Sequence, residues 1–386
     1  MNIKLNNTFA QSSFMAAIFY SIIATAGLFY VNLGGAFLSA FVDGLGVQRD
    51  VAGYIVSANK YGAAFGALLA TFLVKKLEWR SILRILFFCL ILVDLISTQI
   101  TSPQTLILLR FLHGTIGGLS VGFGLSIIAR TYNPDKIFGM LLVVQYSFGS
   151  IGIWAVPRMV DSFGYGAAFG ALIIFTIMAI IILPFVPNVD ESIEDNTSSN
   201  IFNIPIGKFL FLALVALFLF QASNMGVADY AFELGKDIGL ENTQISNILT
   251  IANVISISGG ALVYLIGTKY GRTLPLIIGI SMSSIFTFLL HYSDNVSIYF
   301  IANTITGIAW GFTIPYILGL CSTFDSHGQM AALAGFISKM GLATGPLIGS
   351  LFIIDYGIEP IINIAVFSLI IAMIASWLSS RAIETK

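Results

Sequence analysis

Residues 66–80 read GALLATFLVKKLEWR and residues 259–272 read GGALVYLIGTKYGR. Each is a glycine-led apolar run ending in a short basic loop. The two lie 193 positions apart, half of the 386 residues. The same displacement lays Gly46 on Gly239, Gly114 on Gly307, Gly118 on Gly311, Gly152 on Gly345 and Gly164 on Gly357 without a gap. Glycine is common here (37 residues), so one coincidence means little. A register kept from Gly46 to Gly164 reads as a chain built twice from one unit.

Composition says what that unit is made of. Hydrophobic residues are 57% of the chain, charged residues 10%, and mean hydropathy is +0.92. A soluble domain carries about a quarter charged residues. Roughly 20 apolar residues cross a hydrocarbon core of about 30 Å. Twelve apolar runs are expected as spans, at 14–42, 51–74, 81–100, 103–129, 137–158, 165–187, 207–232, 243–267, 274–292, 296–321, 329–354 and 360–380. In hydrocarbon each must satisfy its own backbone, so each is a helix. The first run is too long for a signal-peptide core and is expected to stay as an anchor. The acidic, Ser/Asn-rich stretch at 188–203 divides six spans from six. The expected organisation is a six-helix bundle over 1–187, a cytoplasmic linker over 188–206 and a second bundle over 207–386. Both halves then run in the same direction, as a parallel repeat with its substrate site at their interface.

Lys and Arg alone set orientation. With the N-terminus inside, twelve of them fall on the cytoplasmic side, among them Lys4, Lys75, Lys76, Arg130 and Lys386. Only Arg49, Arg158 and Lys236 fall outside. Both termini are therefore expected in the cytoplasm and the chain in the cytoplasmic (inner) membrane.

These residues resemble the major facilitator superfamily over essentially the whole chain. Its loop between helices 2 and 3 usually reads Gly-x-Leu-x-Asp-Arg-x-Gly-Arg-Arg. Residues 66–80 keep Lys76 and Arg80 but place Lys75 at the acidic position and Glu78 at the second glycine. The second copy keeps Lys269, Gly271 and Arg272 and has Thr268 at the acidic position. LILLRFLHGTIGG (106–118) is similar to the family's Arg-x-x-x-Gly element at Arg110 and Gly114. GSIGIWAVP (149–157) and GLATGPLIGS (341–350) are similar to its glycine-proline element. The resemblance implies an all-α fold of twelve helices in two six-helix repeats. It also implies secondary transport by alternating access and an Arg110 that faces the cavity.

Three cations lie inside spans: Lys60, Arg110 and Lys339. Counting rises from the nearer end puts Lys60 about 13 Å deep and Lys339 about 15 Å deep. A central Lys costs about 2.5–3.5 kcal/mol on insertion scales and marks a functional site by default. In the family's arrangement helices 2 and 11 meet across the interface, which would make one positive patch for an organic anion. Otherwise each lysine must lose its proton or find a carboxylate such as Asp229. Arg110 has a second reading, in which a pair with Asp94 braces the hairpin of spans 3 and 4. His113 lies at mid-depth and titrates near neutrality. Asp229 is the better proton-titrating carboxylate, and Glu233, one turn on, reads as a solvated helix end. Asn32, Gln145, Asn224, Asn253 and Trp310 are further candidates to line a substrate site.

No HExxH, Walker loop, Ser–His–Asp order or CxxC is present, and His113, His291 and His327 are scattered. Enzyme chemistry, a cofactor and a metal are not expected. A net charge of −1 points to no nucleic acid. The expectation is a monomeric transporter of a small organic anion, with protons (through Asp229, His113 and Arg110) as coupling ion. The alternative is a proton-driven efflux pump for drugs and other amphiphiles.

Overall fold

The computed structural model describes residues 13–74, 77–129, 131, 134–188, 207–324 and 329–384. Lys4, Lys75, Lys76, Arg130, Lys386 and the expected linker beyond Asn188 lie outside the described residues. Within them the structure is helical throughout: α1 (Phe14–Ala26), α2 (Phe29–Asn32), α3 (Gly34–Ser39), α4 (Arg49–Leu73), α5 (Trp79–Ser97), α6 (Pro103–Ala129), α7 (Pro134–Phe163) and α8 (Ala167–Ile182). After the linker come α9 (Lys208–Asp229), α10 (Ala231–Asp237), α11 (Asn242–Ile266), α12 (Thr273–Leu289), α13 (Val296–Ser322), α14 (Gln329–Tyr356) and α15 (Glu359–Glu384). Nine helices among the described residues are long and apolar enough to cross a membrane. α5 falls outside the nine because Arg80, Arg84 and Asp94 sit within its 19 residues. In α4, Asn59, Lys60 and the glycines dilute the apolar run.

The expected unbroken run at 14–42 is corrected. It divides into α1, α2, α3 and a wide turn at Ala40–Gly44. A Cβ on Gly27 would run into the Gly117 carbonyl, so α6 presses on the chain where α1 stops. Leu28 and Leu33 then donate to carbonyls three residues back, Thr25 (2.8 Å) and Tyr30 (3.1 Å). Such irregular backbone is tolerated at membrane depth where protein buries it, and Leu33 has no exposed surface.

Element bounds recur after 193 residues. Displaced by that amount, Arg49–Leu73 becomes 242–266, the bounds of α11, and Pro103–Ala129 becomes 296–322, the bounds of α13. Gly46 and Gly239 both take positive φ (71° and 84°), as do Gly164 and Gly357 (80° and 69°). Close contacts follow the same register. A Cβ on Gly66 would overlap the Thr115 carbonyl, and one on Gly259 the Ile308 carbonyl, again 193 positions on. Small residues there let α4 lie directly on α6 and α11 on α13.

α6 packs against α1, α4 and α5, with α8 against α5 and α1. α13 packs against α9, α11 and α12, with α15 against α12 and α9. These two groups meet mainly through α4 on α14 and α7 on α11.

Candidate functional site

Lys60 stands in the middle of α4 and Asp229 at the last residue of α9. The Lys60 ammonium pairs with Asp229 Oδ2, and the two side chains are 1% and 2% exposed. Each buried ion would cost several kcal/mol alone, so partnership is what makes their burial tolerable. Gly34 in α3 leaves room for them: a Cβ there would overlap Asp229 Oδ1 and stand 3.2 Å from Lys60 Nζ. Of the outcomes open to Lys60 in the sequence, the carboxylate is the one that forms. The pair ties α4 to α9, helices of the two different groups.

Behind it lies a second buried cluster. Arg110 Nη1 donates to Asp94 Oδ1 (2.8 Å) and Nη2 to Ser97 Oγ (2.5 Å). The guanidinium carbon lies 4.7 Å from the Phe169 ring centroid. Asn59, beside Lys60, donates from Nδ2 to the Arg110 carbonyl (3.2 Å) and makes a 2.8 Å bond with His113 Nδ1. Because that amide nitrogen is a donor, Nδ1 accepts and the ring proton sits on Nε2. His113 Nε2 lies 3.3 Å from Asp94 Oδ2, a long contact that leaves this oxygen without a well-aimed hydrogen bond. Arg110 has no exposed surface and His113 is 4% exposed. The structure thus brings both residues to Asp94, inside the α4–α5–α6 packing, and not to the interface.

The interface carries a belt of amides and aromatics. Asn32 donates to the Gln145 carbonyl (3.2 Å), and Asn253 donates to the Tyr146 carbonyl (3.0 Å) and Ser150 Oγ (2.8 Å). Tyr146 reaches from α7 to the Gly307 carbonyl on α13 (3.2 Å), its ring edge-on to Trp310 at 6.1 Å. Trp310 Nε1 donates to Gln221 Oε1 (2.7 Å), and Gln221 Nε2 to Ser338 Oγ (2.6 Å). Asn224 is elsewhere, bonded to Ser283 of α12 (2.7 Å) inside its own group. The sequence reading missed Gln221 and Ser338. Gln221, an amide three residues before Asn224 in an apolar run, was the available signal.

Lys339 is placed by register. Pro346 and Ser350, seven and eleven residues after it, are the α14 residues that crowd Gly53 of α4. Spacings of seven and eleven keep one helix face, so Lys339 lies on the α4-facing side of α14. Lys60 follows Gly53 by seven residues on α4. Lys60 therefore lies about 10 Å from that contact and Lys339 about 10–16 Å from it, on facing stripes and in the same direction. Lys339 is partly exposed, and among the described residues no carboxylate or hydrogen-bond partner engages its ammonium.

Glu233 corrects an expectation: it is fully buried rather than solvated. α10 packs on α3 and α11, and there Arg49 Nε, at the start of α4, stands 2.7 Å from Glu233 Oε2 and Lys236 Nζ 2.6 Å from Oε1. Arg49 also pairs with Asp237 (2.6 Å) and Lys236 with Asp43 (2.6 Å). Arg158 of α7 adds bonds to Ser246 (2.8 Å) and Asn247 (2.7 Å) of α11. This network closes one end of the interface.

The sequence profile described as Major Facilitator Superfamily matches residues 12–324. Sequence comparison with curated proteins found no match. Among solved structures, a mutant of the nucleoside transporter NupG is similar with a TM-score of 0.70 at 15% identity, covering 95% of this chain and 98% of that one. A D-xylose-proton symporter is similar with a TM-score of 0.70 at 16% identity, covering 96% of this chain and 97% of that one. At these identities the likeness is one of fold.

Proposed function

The chain belongs to the major facilitator superfamily, and from that premise we propose that it carries a small organic anion across the membrane by alternating access, coupled to protons. It is an integral membrane protein of a family of transporters, not of enzymes. The proposed architecture is twelve spans in two parallel six-helix halves, 1–187 and 207–386, joined by a linker over 188–206. The first three short helices count together as one span, and α9 with α10 as its counterpart. The recurrence of α4 in α11 and of α6 in α13 after 193 residues supports that reading. The basic side of the loops supports cytoplasmic termini, inner-membrane residence and an external Arg49 end. A monomer suffices, because the site lies between halves of one chain.

One observation carries the anion reading: the charges at mid-depth. Asp229 offsets Lys60 and Asp94 offsets Arg110, while Lys339 stands on the interface without a described counter-ion. Trp310 connects through Gln221 to Ser338, the residue before Lys339, while Asn32, Gln145 and Asn253 supply polar groups along α7 and α11, and Asn224 supports α9 from behind. Asp229 is the proposed proton acceptor, since protonating it would release Lys60 and untie α4 from α9. Arg110 and His113 take part by holding Asn59, the neighbour of Lys60, in place.

The test is reconstitution in liposomes with an imposed pH gradient. Organic anions should exchange across the bilayer and accumulate with the gradient, and Asp229→Asn should keep exchange but lose accumulation. Uptake indifferent to the gradient would remove proton coupling. Gradient-driven expulsion of cationic dyes, with no anion flux, would favour the amphiphile efflux alternative.

A further inference from the structure

We infer that the interface site is built for a single negative charge, so that its ligand is a small monocarboxylate seated on Lys339 and not a dianion held between two lysines. This deepens the anion reading above and rests on it. Two lysines on facing helix stripes suggest a doubly charged ligand, until their partners are considered. Lys60 already has its anion, because Asp229 lies against it in a space that Gly34 keeps open. Arg110 has Asp94 and Ser97, behind the packing of α4 on α6. Arg49, Lys236 and Arg158 are engaged at the closed end. What remains at mid-depth among the described residues is one positive charge, on Lys339.

Its surroundings agree with a carboxylate. Ser338, the preceding residue, is held by Gln221, which is held in turn by the Trp310 indole. That chain fixes α14 against α9 through polar groups already bonded to one another, and it spends no donor of Lys339. An ammonium is a compact point charge without the planar fork by which arginine grips phosphate or a second oxygen pair. A ligand with one carboxylate brings the site to neutrality. A second carboxylate would meet Asp229 with no cation left to hold it, and like charges brought together in a low-dielectric site repel strongly.

The inference makes Asp229 a specificity determinant, and this can be reversed. Removing its charge frees Lys60 and raises the site from one positive charge to two. The experiment is a thermal-shift titration of the purified full-length protein at fixed pH. Its probes are benzoate and hexanoate as monocarboxylates, phthalate and adipate as dicarboxylates, benzamide as uncharged isostere and rhodamine 6G as a cationic dye. Ligands that bind the folded state raise the midpoint, by an amount that grows with the logarithm of ligand concentration over Kd. Monocarboxylates should stabilise the wild type, and benzamide should not. Lys339→Gln should weaken that binding at least about tenfold, and Lys339→Arg should retain part of it. Asp229→Asn should move preference toward dicarboxylates by at least about tenfold. The double variant Lys60→Gln/Asp229→Asn keeps one positive charge and should keep the monocarboxylate preference. It decides the matter even where Asp229→Asn alone is not recovered folded. Dicarboxylates binding the wild type as well as monocarboxylates do, or Lys339→Gln binding unchanged, would overturn the inference while leaving an anion transporter. Stabilisation by the dye or by benzamide, with no acid active, would overturn both.

Discussion

Among the described residues, the two groups of helices share an apolar core at the Arg49 end of the molecule and not at the Arg80 end. One buried cluster joins Phe37, Phe41, Ile55 and Val56 of the first group to Val227, Phe232, Leu249 and Ile353 of the second. A separate cluster, from Leu210 and Phe220 to Ile317 and Leu369, belongs to the second group alone. The polar contacts divide in the same way. Near Arg49, the pairs with Glu233 and Asp237 and the Lys236–Asp43 pair all cross between groups. Near Arg80, the bonds given by described residues stay within one group. Arg80 reaches the Val186 carbonyl and Asn188, and Tyr20 reaches the Pro187 carbonyl. Glu384 accepts from the backbone of Arg272 (2.5 Å) and Thr273 (3.1 Å). The difference teaches how such a molecule moves: contacts inside a group travel with it, and contacts between groups set which end is shut. Among the described residues the structure is shut at the Arg49 end, with the Lys60–Asp229 pair as a fully buried ionic tie between groups.

The largest effect should come from that tie. Lys60→Gln leaves the Asp229 carboxylate buried without its partner, at a cost of about 3–5 kcal/mol. Adding Asp229→Asn should recover most of the loss, as a double-mutant cycle on the thermal midpoint would show. Additive losses would mean that the two residues do not act as a pair.

Next is Glu233→Gln, which weakens the ion pair with Arg49 and a charged hydrogen bond from Lys236, the latter worth about 1.5–3 kcal/mol. The Arg49 end should then open more often. In a background lacking Cys89 and Cys321, a cysteine at Val56 (buried here) should label faster with maleimide once Glu233 is replaced. Unchanged labelling would break the comparison of the two ends.

The two groups can be compared as well. Gly66→Val and Gly259→Val each force a side chain against a carbonyl of the packed helix and should cost about 1–3 kcal/mol. Similar losses are expected, since the two contacts are copies. A silent Gly259→Val would show that the α11–α13 contact is looser than its counterpart.

The smallest effects belong at the Arg80 end. Glu384→Ala should cost about 1 kcal/mol without altering labelling at Val56. Glu78 offers a pH test. Partial burial pushes its carboxyl up, but bonds from Ser81 and Arg80 and the Arg80 charge outweigh that and hold it below its ordinary 4.5. A depressed carboxyl contributes stability that is present above the ordinary value and is lost as pH falls through the lower folded one. Exposure screens the effect, so Glu78→Gln should flatten the acid limb by under about 1 kcal/mol.

Much of the fold was legible because membrane helices declare themselves locally. Apolar length marks a span, and the register that laid Gly66 on Gly259 reappears as matched bounds, matched positive φ and matched close contacts. The break at Gly27 was not legible, since it arises where Gly117 of α6 meets the chain. Asp94 with Arg110 could be paired across a short turn, because hairpin neighbours share depth. Glu233 was misread because helix periodicity sees an acidic residue near a span end and not the Arg49 and Lys236 gathered over it.

By itself the sequence determined where the apolar runs lie, how many rises each charge falls from the end of its run, and the 193-residue register in which α4 recurs as α11 and α6 as α13. Those properties depend on composition and on a rise of about 1.5 Å per residue, both written along the chain. Only the tertiary structure decided which charges neutralise each other. Lys60 and Asp229 are 169 positions apart, and their meeting depends on how α4 and α9 are turned about their axes. That rotation is set by the packing of glycines, carbonyls and aromatic rings from several helices at once. The same packing leaves Lys339, alone of Lys60, Arg110 and Lys339, without a counter-ion among the described residues.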